Sequence, residues 1–356
     1  MRPAISPSST PNNKDRSSCS GSPAPCCKVR PVPTSTRGIS TSTRSGPACR
    51  SAPLRSLLLV APGACTGDLD PLLAAYASRR IQVARWTYTG AVPREPELAA
   101  AAALHDAVLL IGRRARAPRT VLAGPLLDTP GGRRVPVGWV PVVDSPSLRR
   151  FATAAARVHT RSRKAATVAL LSQRHPRFRR LAARIETILD DRPVFRWTAD
   201  RLVPEDMLAG LTSGLGAAIY VGHGRPCGWV GYYGLRAHHF DDFAGEPVGA
   251  ILSLCCLTAS RRRVGLSFAE ALPLRGVCGA VLAAVSNTRH TDNTRWAVRL
   301  SSAMLAGASD LGELVHEALP PGSPLAADYR IIGDPLTPLL APVAGGRRAR
   351  TVEVHT

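Results

Sequence analysis

The chain has 356 residues, 45% of them apolar, with 46 Lys and Arg against 25 Asp and Glu and hence a formal net charge of +21. That length holds a full hydrophobic core in one elaborated domain or two modest ones, and no apolar run reaches the ~18 residues that point to a membrane span. The charge suggests polyanion affinity through counterion release, but only Lys14, Lys28 and Lys164 are lysines and no basic helix is interleaved with aromatics, so nucleic acid is expected only as a nonspecific electrostatic partner.

In chain order, residues 1–54 are rich in Ser, Pro, Thr and Arg, with Asp15 the single acid. Such a segment buries too little apolar surface to offset the entropy of ordering, and disorder is expected. It lacks the apolar stretch of a secretory signal, while its Arg-rich, acid-poor composition fits a transit peptide or a start codon set too early; both stay open. The nine cysteines are odd in number and contain no C-x-x-C pair. Neither a disulfide framework nor a zinc site is indicated, and a reducing, cytoplasmic setting is expected.

From residue 55 onward, strands are expected at 56–61, 81–84, 107–112, 137–143, 166–171, 193–197, 217–221, 249–254 and 277–285. Helices are expected at 69–79, 96–104, 147–159, 177–190, 204–213, 266–272, 293–306 and 310–319. Continuous apolar strands separated by amphipathic helices predict mostly parallel sheet covered on both faces, an α/β architecture. Two sheets are expected, one before and one after residue ~150.

Ligands in such sheets sit at the carboxyl ends of the strands, and two expected strands end in reactive residues. One ends at Val221 and turns through Gly222-His223-Gly224; the next ends in Cys255-Cys256. If these strands are neighbours, imidazole and thiol emerge side by side. A thiol reacts as its thiolate and needs a base or an electropositive setting, and glycine after the histidine lets a backbone N–H approach a substrate carbonyl.

The segments AAIYVGHG, ILSLCCLT and SFAEALPLRGVCGAVLAAVSNT, together with VPVGWVPVVDSPSLRRFATAA (residues 135–155) and YRIIGDPLTPL (residues 329–339), resemble the gingipain-type cysteine peptidases, relatives of the caspases. The likeness covers roughly residues 55 to 341, in order. It implies a caspase-like three-layer sandwich over 146–341, preceded by a smaller α/β subdomain over 55–145; the closing Gly345-Gly346-Arg347-Arg348 stretch reads by its composition as a flexible tail over 342–356. It also implies a polypeptide substrate and an acyl-enzyme mechanism. In it His223 serves as general base or acid, Cys256 as nucleophile with Cys255 as packing, and Gly224 as an oxyanion N–H donor. Trp229, Ser286 and Trp296 are the expected substrate-binding residues. No cofactor or metal is expected; relatives can use calcium, but no site for it is visible here. A third residue orienting His223 is left open among Asp200, Glu205 and Asp206.

The chain also departs from the family. Cys256 is followed by Leu257-Thr258-Ala259 where a glycine is common, Trp139 stands where an arginine would follow Gly138, and Ser172-Gln173-Arg174 replaces acidic residues. Cleavage after basic residues is therefore not implied. Arg261-Arg262-Arg263 fits either an acid-selecting pocket, a solvated loop or a processing site. Trp229-Val230-Gly231-Tyr232-Tyr233 fits either a groove wall or core packing. Cys227 is read as a coincidental neighbour of the histidine rather than a redox partner of Cys256. His238-His239 with Asp241-Asp242 reads as a solvated loop, since the four crowd one segment, and Asp334 as a turn residue capping a backbone amide. Two alternatives stand beside the peptidase reading: a CHAT-type caspase-like protease, and a catalytically inactive scaffold of the same fold.

Overall fold

The computed structural model describes residues 55–161, 167–190, 192–199 and 202–340, so the expectations for 1–54 and 342–356 lie outside the described residues. The first half runs β1 (Ser56–Pro62), α1 (Asp70–Ser78), β2 (Gln82–Tyr88), α2 (Glu95–Ala102), β3 (Ala107–Arg113), α3 (Pro118–Val121), β4 (Leu126–Asp128), β5 (Arg134–Val142) and α4 (Ser145–Thr160). It continues through β6 (Val168–Gln173), α5 (Pro176–Ile188), β7 (Val194–Ala199), α6 (Pro204–Leu211), β8 (Ala217–Val221) and the two-residue strands β9 (Gly224–Arg225) and β10 (Gly228–Trp229). The remainder is β11 (Val248–Leu254), α7 (Phe268–Leu274), β12 (Cys278–Ala284), α8 (His290–Ala306), α9 (Leu311–Ala318), α10 (Leu325–Asp328) and β13 (Tyr329–Gly333).

Ten strands form one sheet in the order β2-β1-β3-β5-β13-β12-β11-β8-β6-β7, with β4 paired off this path onto β5. All pairings along the path are parallel except β12 with β13. The expectation of two separate sheets is corrected here. Strands from before residue 145 occupy one end and those from after it the other, but β13 inserts between β5 and β12 and joins them through Ile331 opposite Gly138 and Ile332 opposite Trp139.

Strands β8, β11 and β12 are buried at every position, because helices cover both faces and leave no side for polar alternation. On β11, Ala250, Leu252 and Leu254 face a core with Phe178 and Leu181 of α5 and Trp296 and Leu300 of α8. Ile251 and Cys255 face the opposite core with Phe268 and Leu272 of α7 and with Trp229 and Phe240. Each buried Leu, Ile or Phe side chain contributes roughly 1.5–3 kcal/mol of transfer free energy.

The helix ends follow local chemistry. Asp144 caps α4 by accepting from the Ser147 amide at 2.6 Å, and the Ser147 side chain first, then that amide, hold its carboxyl below the usual range. Ser267 and Glu270 form a reciprocal capping box on α7, the arrangement expected where serine precedes a helix and glutamate follows three residues on. Among the described residues no helix is long and apolar enough to cross a membrane.

Candidate active site

β8 and β11 are adjacent and parallel, with Val221 opposite Leu254. His223 and Cys256 each lie two residues beyond that last pair, so they leave one sheet edge at the same level. The His-Gly turn also touches the Cys-Cys turn. A β-carbon on Gly224 would fall within 2.5 Å of Cys255 Sγ and closer still to the Cys256 carbonyl oxygen. Glycine is required there by close backbone approach rather than by dihedral angle.

The two cysteines occupy opposite environments. Cys255 is fully buried, its Sγ 3.4 Å from Ser253 Oγ and 3.9 Å from Thr258 Oγ1, and burial pushes its thiol up to about 12. Cys256 is partly exposed. Its sulfur lies 3.5 Å from Thr288 Oγ1 and accepts from the Thr288 amide at 3.4 Å. Thr288 Oγ1 accepts from Asn293 Nδ2 at 2.9 Å, and Asn293 Oδ1 accepts from the Tyr329 hydroxyl at 2.7 Å. A chain of hydrogen bonds therefore runs from the core to the thiol and fixes its position.

Leu257 follows with φ 64°, a left-handed conformation uncommon for a non-glycine residue. Its amide donates to Ser286 O at 3.0 Å, and the Ala259 amide donates to Ala284 O at 2.8 Å, anchoring the corner to the end of β12. Among the described residues the Cys256 amide donates to no acceptor, which leaves it available to an incoming carbonyl oxygen.

His223 is exposed at the rim. Its amide donates to Gln173 Oε1 at 2.7 Å and its carbonyl accepts from the Tyr220 hydroxyl at 2.9 Å and the Val230 amide at 3.0 Å, so its backbone is held from three sides. Arg177 Nη2 lies 2.8 Å from His223 Nε2. A guanidinium only donates, so Nε2 accepts and the ring is neutral with its proton on Nδ1. Desolvation first, then the charges of Arg177 and His175, hold His223 below its ordinary value. An NMR titration of the His223 ring is expected to show a midpoint below that of a free histidine. The midpoint should rise in Arg177→Met, because removing a nearby cation favours the protonated ring; an unmoved midpoint would show that Arg177 does not reach the imidazole in solution.

The other expected site residues fall elsewhere. Trp229 is buried, stacks on Tyr220 at 4.4 Å and donates from Nε1 to Ser253 Oγ at 2.8 Å. It packs in the core beneath the site. Trp296 is likewise fully buried, its ring 5.7 Å from that of Tyr329, and does not form an open wall. In the aromatic cluster Tyr232 is buried as well, while Tyr233 is 76% exposed. Ser286 lies near the Leu257 corner, with its hydroxyl engaged by Asp328.

Arg261 is not free for a ligand: it pairs with the fully buried Glu270, which also accepts from Trp139 Nε1 at 3.1 Å. Asp206 caps the Val203 amide at 3.1 Å and Glu205 bears on His239, while Asp200 lies outside the described residues. His239 Nδ1 accepts from the Arg236 amide and Asp241 pairs with Arg275. Among the described residues no group of His, Cys, Asp or Glu is disposed to hold a metal ion. The described cysteines, Cys227 included, are all free.

Sequence reasoning missed Arg177, His290, Thr288 and Asn293. The first stands one turn past Ser172-Gln173-Arg174 at the end of β6, and because β6 neighbours β8 the loop after it had to reach the histidine. Nothing in the sequence alone marked that pairing.

Among solved structures, the chain is similar to the Arg-specific cysteine proteinase gingipain R (TM-score 0.66, 12% identity, covering 82% of this chain and 79% of that one). It is also similar to a structure described only as a protease (TM-score 0.64, 14% identity, 81% and 79%). A third likeness is to the complex of Porphyromonas gingivalis RgpB pro- and mature domains (TM-score 0.61, 13% identity, 80% and 79%). At these identities the likeness shows the fold: a caspase-like, mostly parallel α/β sandwich. No protein-family model and no curated protein matches the chain.

Proposed function

We propose that this protein is a cysteine endopeptidase in which Cys256 is the nucleophile and His223 its proton-transfer partner. The observation that carries the reading is the register of β8 and β11, which brings His223-Gly224 against Cys255-Cys256 at one carboxyl edge. The likeness of fold to cysteine proteinases supports it.

In this scheme the Cys256 thiol proton passes to His223 and the thiolate attacks the peptide carbonyl carbon. The carbonyl π pair moves to oxygen, where the Cys256 and Gly224 amides stabilise the oxyanion. Collapse of the tetrahedral species breaks the C–N bond, and the departing amine takes the proton from His223. Water then attacks the thioester, releasing a carboxylic acid and restoring the thiol. Cys255 takes no part, because a buried thiol with a raised pKa supplies no thiolate at neutral pH.

Incubation of the folded protein with a mixture of peptidyl acyloxymethyl ketones, followed by peptide mapping, tests the proposal. A single adduct on Cys256, lost when the protein is unfolded beforehand, is expected. Adducts spread over Cys65 and Cys227, or no adduct at all, would contradict it.

A further inference from the structure

Phe178, at the start of α5, is the hub of an unusual set of neighbours. Its ring makes edge contacts with His223 at 5.3 Å, His290 at 5.5 Å and His175 at 6.1 Å between centroids. The Arg177 guanidinium lies over its face at 4.6 Å. Three elements converge here: the loop after β6, the turn after β8 and the start of α8. The groups that bear electrostatically on His223 and His290 are basic: Arg177 and His175 and, for His290, Arg180 and His223 as well.

Arg177 itself is poorly satisfied. Among the described residues it has no carboxylate partner, and its Nε is buried without an acceptor. Among the described residues the one polar contact of its guanidinium is with a neutral imidazole nitrogen, that of His223. A half-buried guanidinium held by stacking, near two imidazoles and beside a candidate catalytic ring, lacks the anion that such a cluster would bind most strongly.

We infer that Arg177, flanked by His175 and His290, receives a carboxylate side chain of the substrate, so that the site selects Asp or Glu at the residue whose carbonyl is attacked. This rests on the peptidase reading of His223 and Cys256. The position follows from distance: Arg177 touches the ring that must lie against the reacting carbonyl, and the nearest substrate side chain is that of the carbonyl's own residue. The same contact has a chemical consequence. With Nε2 occupied by Arg177, the His223 ring cannot take up a proton at that nitrogen. A carboxylate draws the guanidinium away, because a charge-assisted bond replaces a neutral one, and frees Nε2 when an acidic substrate is bound.

The test uses three acyloxymethyl ketones that differ only in bearing Asp, Asn or Arg at that residue, each reacted with the full chain and with Arg177→Met. In the unaltered protein the Asp reagent is expected to modify Cys256 about tenfold to a hundredfold faster than its Asn twin, with the ratio narrowing as salt is added. In Arg177→Met the Asp-to-Asn ratio should fall to near one, a comparison internal to the variant and insensitive to partial loss of fold. It also separates the local cluster from the global positive charge, which that substitution barely changes. Equal or faster reaction of the Asn or Arg reagent, or an Asp advantage that survives in Arg177→Met, would overturn the inference.

If none of the three modifies Cys256, the peptidase reading fails, and binding decides the inference separately. Fluorescent peptides carrying the same Asp or Asn are titrated against Cys256→Ala and Cys256→Ala/Arg177→Met. An Asp preference present in the first and absent in the second would uphold the carboxylate site. Equal binding of the two peptides would remove it.

Discussion

Alanine at Cys256 is expected to lower peptide hydrolysis by about 10⁴-fold or more while leaving the thermal midpoint almost unchanged. The thiol is partly exposed and its polar partner is Thr288, so little packing is lost, and Thr288 Oγ1 keeps its bond from Asn293. Alanine at Cys255 should show the converse. That sulfur fills a fully buried site against Ser253 and Thr258. Its removal opens a small void at a cost of about 1–2 kcal/mol, with activity reduced only as far as the Gly224 contact shifts. Initial rates on a fluorogenic peptide library and unfolding midpoints, measured on both variants, check the pair. Loss of activity in Cys255→Ala with retention in Cys256→Ala would transfer the nucleophile to the buried residue and undo the proposed chemistry. The two cysteines are adjacent in sequence, but the edge of the sheet leaves Cys255 buried and Cys256 partly exposed.

That one cysteine of the pair would face the core and the other the sheet edge was legible from strand alternation, whereas the choice of Cys256 for the edge came from the resemblance. The central strands were legible too: apolar runs such as AAIYV and VGAILSL fit burial on both faces, and all eight expected helices are present within a few residues. What the sequence did not reveal was pairing between distant segments. YRIIG opens the last segment that carries the resemblance, yet as β13 it inserts between β5 and β12 and turns two expected sheets into one. Nothing local to five residues specifies which strands they will separate.

The site followed the same division. His223 and Cys256 announced themselves because each ends an apolar strand, and their neighbourhood followed from two such strands in succession. Arg177 and His290 did not, since their nearness to His223 arises from the β6–β8 ladder and from the entry to α8. The aromatic residues misled for a physical reason. Trp229 and Trp296 are large and amphipathic, suited either to a groove or to a core; in the fold both are buried, Trp229 with Ser253 as hydrogen-bond partner and Trp296 with none for its Nε1. Arg261 was misread because the partner that claims it, Glu270, is visible in sequence only as a helix-capping residue. Trp139 supplies one neutral N–H to that carboxylate, and the positive charge arrives from Arg261 instead.

Alanine at Asp334 is expected to destabilise the protein by about 3–5 kcal/mol and lower its thermal midpoint by about 10 °C, the largest stability effect anticipated for a single polar residue here. The Asp334 carboxylate is fully buried and accepts from three elements at once: the Tyr76 hydroxyl of α1 at 2.7 Å, His159 Nε2 of α4 at 2.6 Å and the Leu336 amide at 2.9 Å. Its own amide donates to Gly279 O at 3.0 Å, tying the turn after β13 to β12. Removing the side chain leaves a buried phenol, a buried imidazole N–H and a buried amide without acceptors, each costing about 1–3 kcal/mol before relaxation. Asparagine should cost less. Its carbonyl can still serve Tyr76 and Leu336, but its NH2 faces His159 Nε2, which must then accept and move its proton to Nδ1, a buried atom with no partner. The order Asp above Asn above Ala in unfolding midpoint is therefore expected, measured by calorimetry on the full chain. A midpoint for Asp334→Ala within a degree or two of the unaltered protein would mean that water reaches the cluster, and that β13 holds the two halves of the sheet together without it.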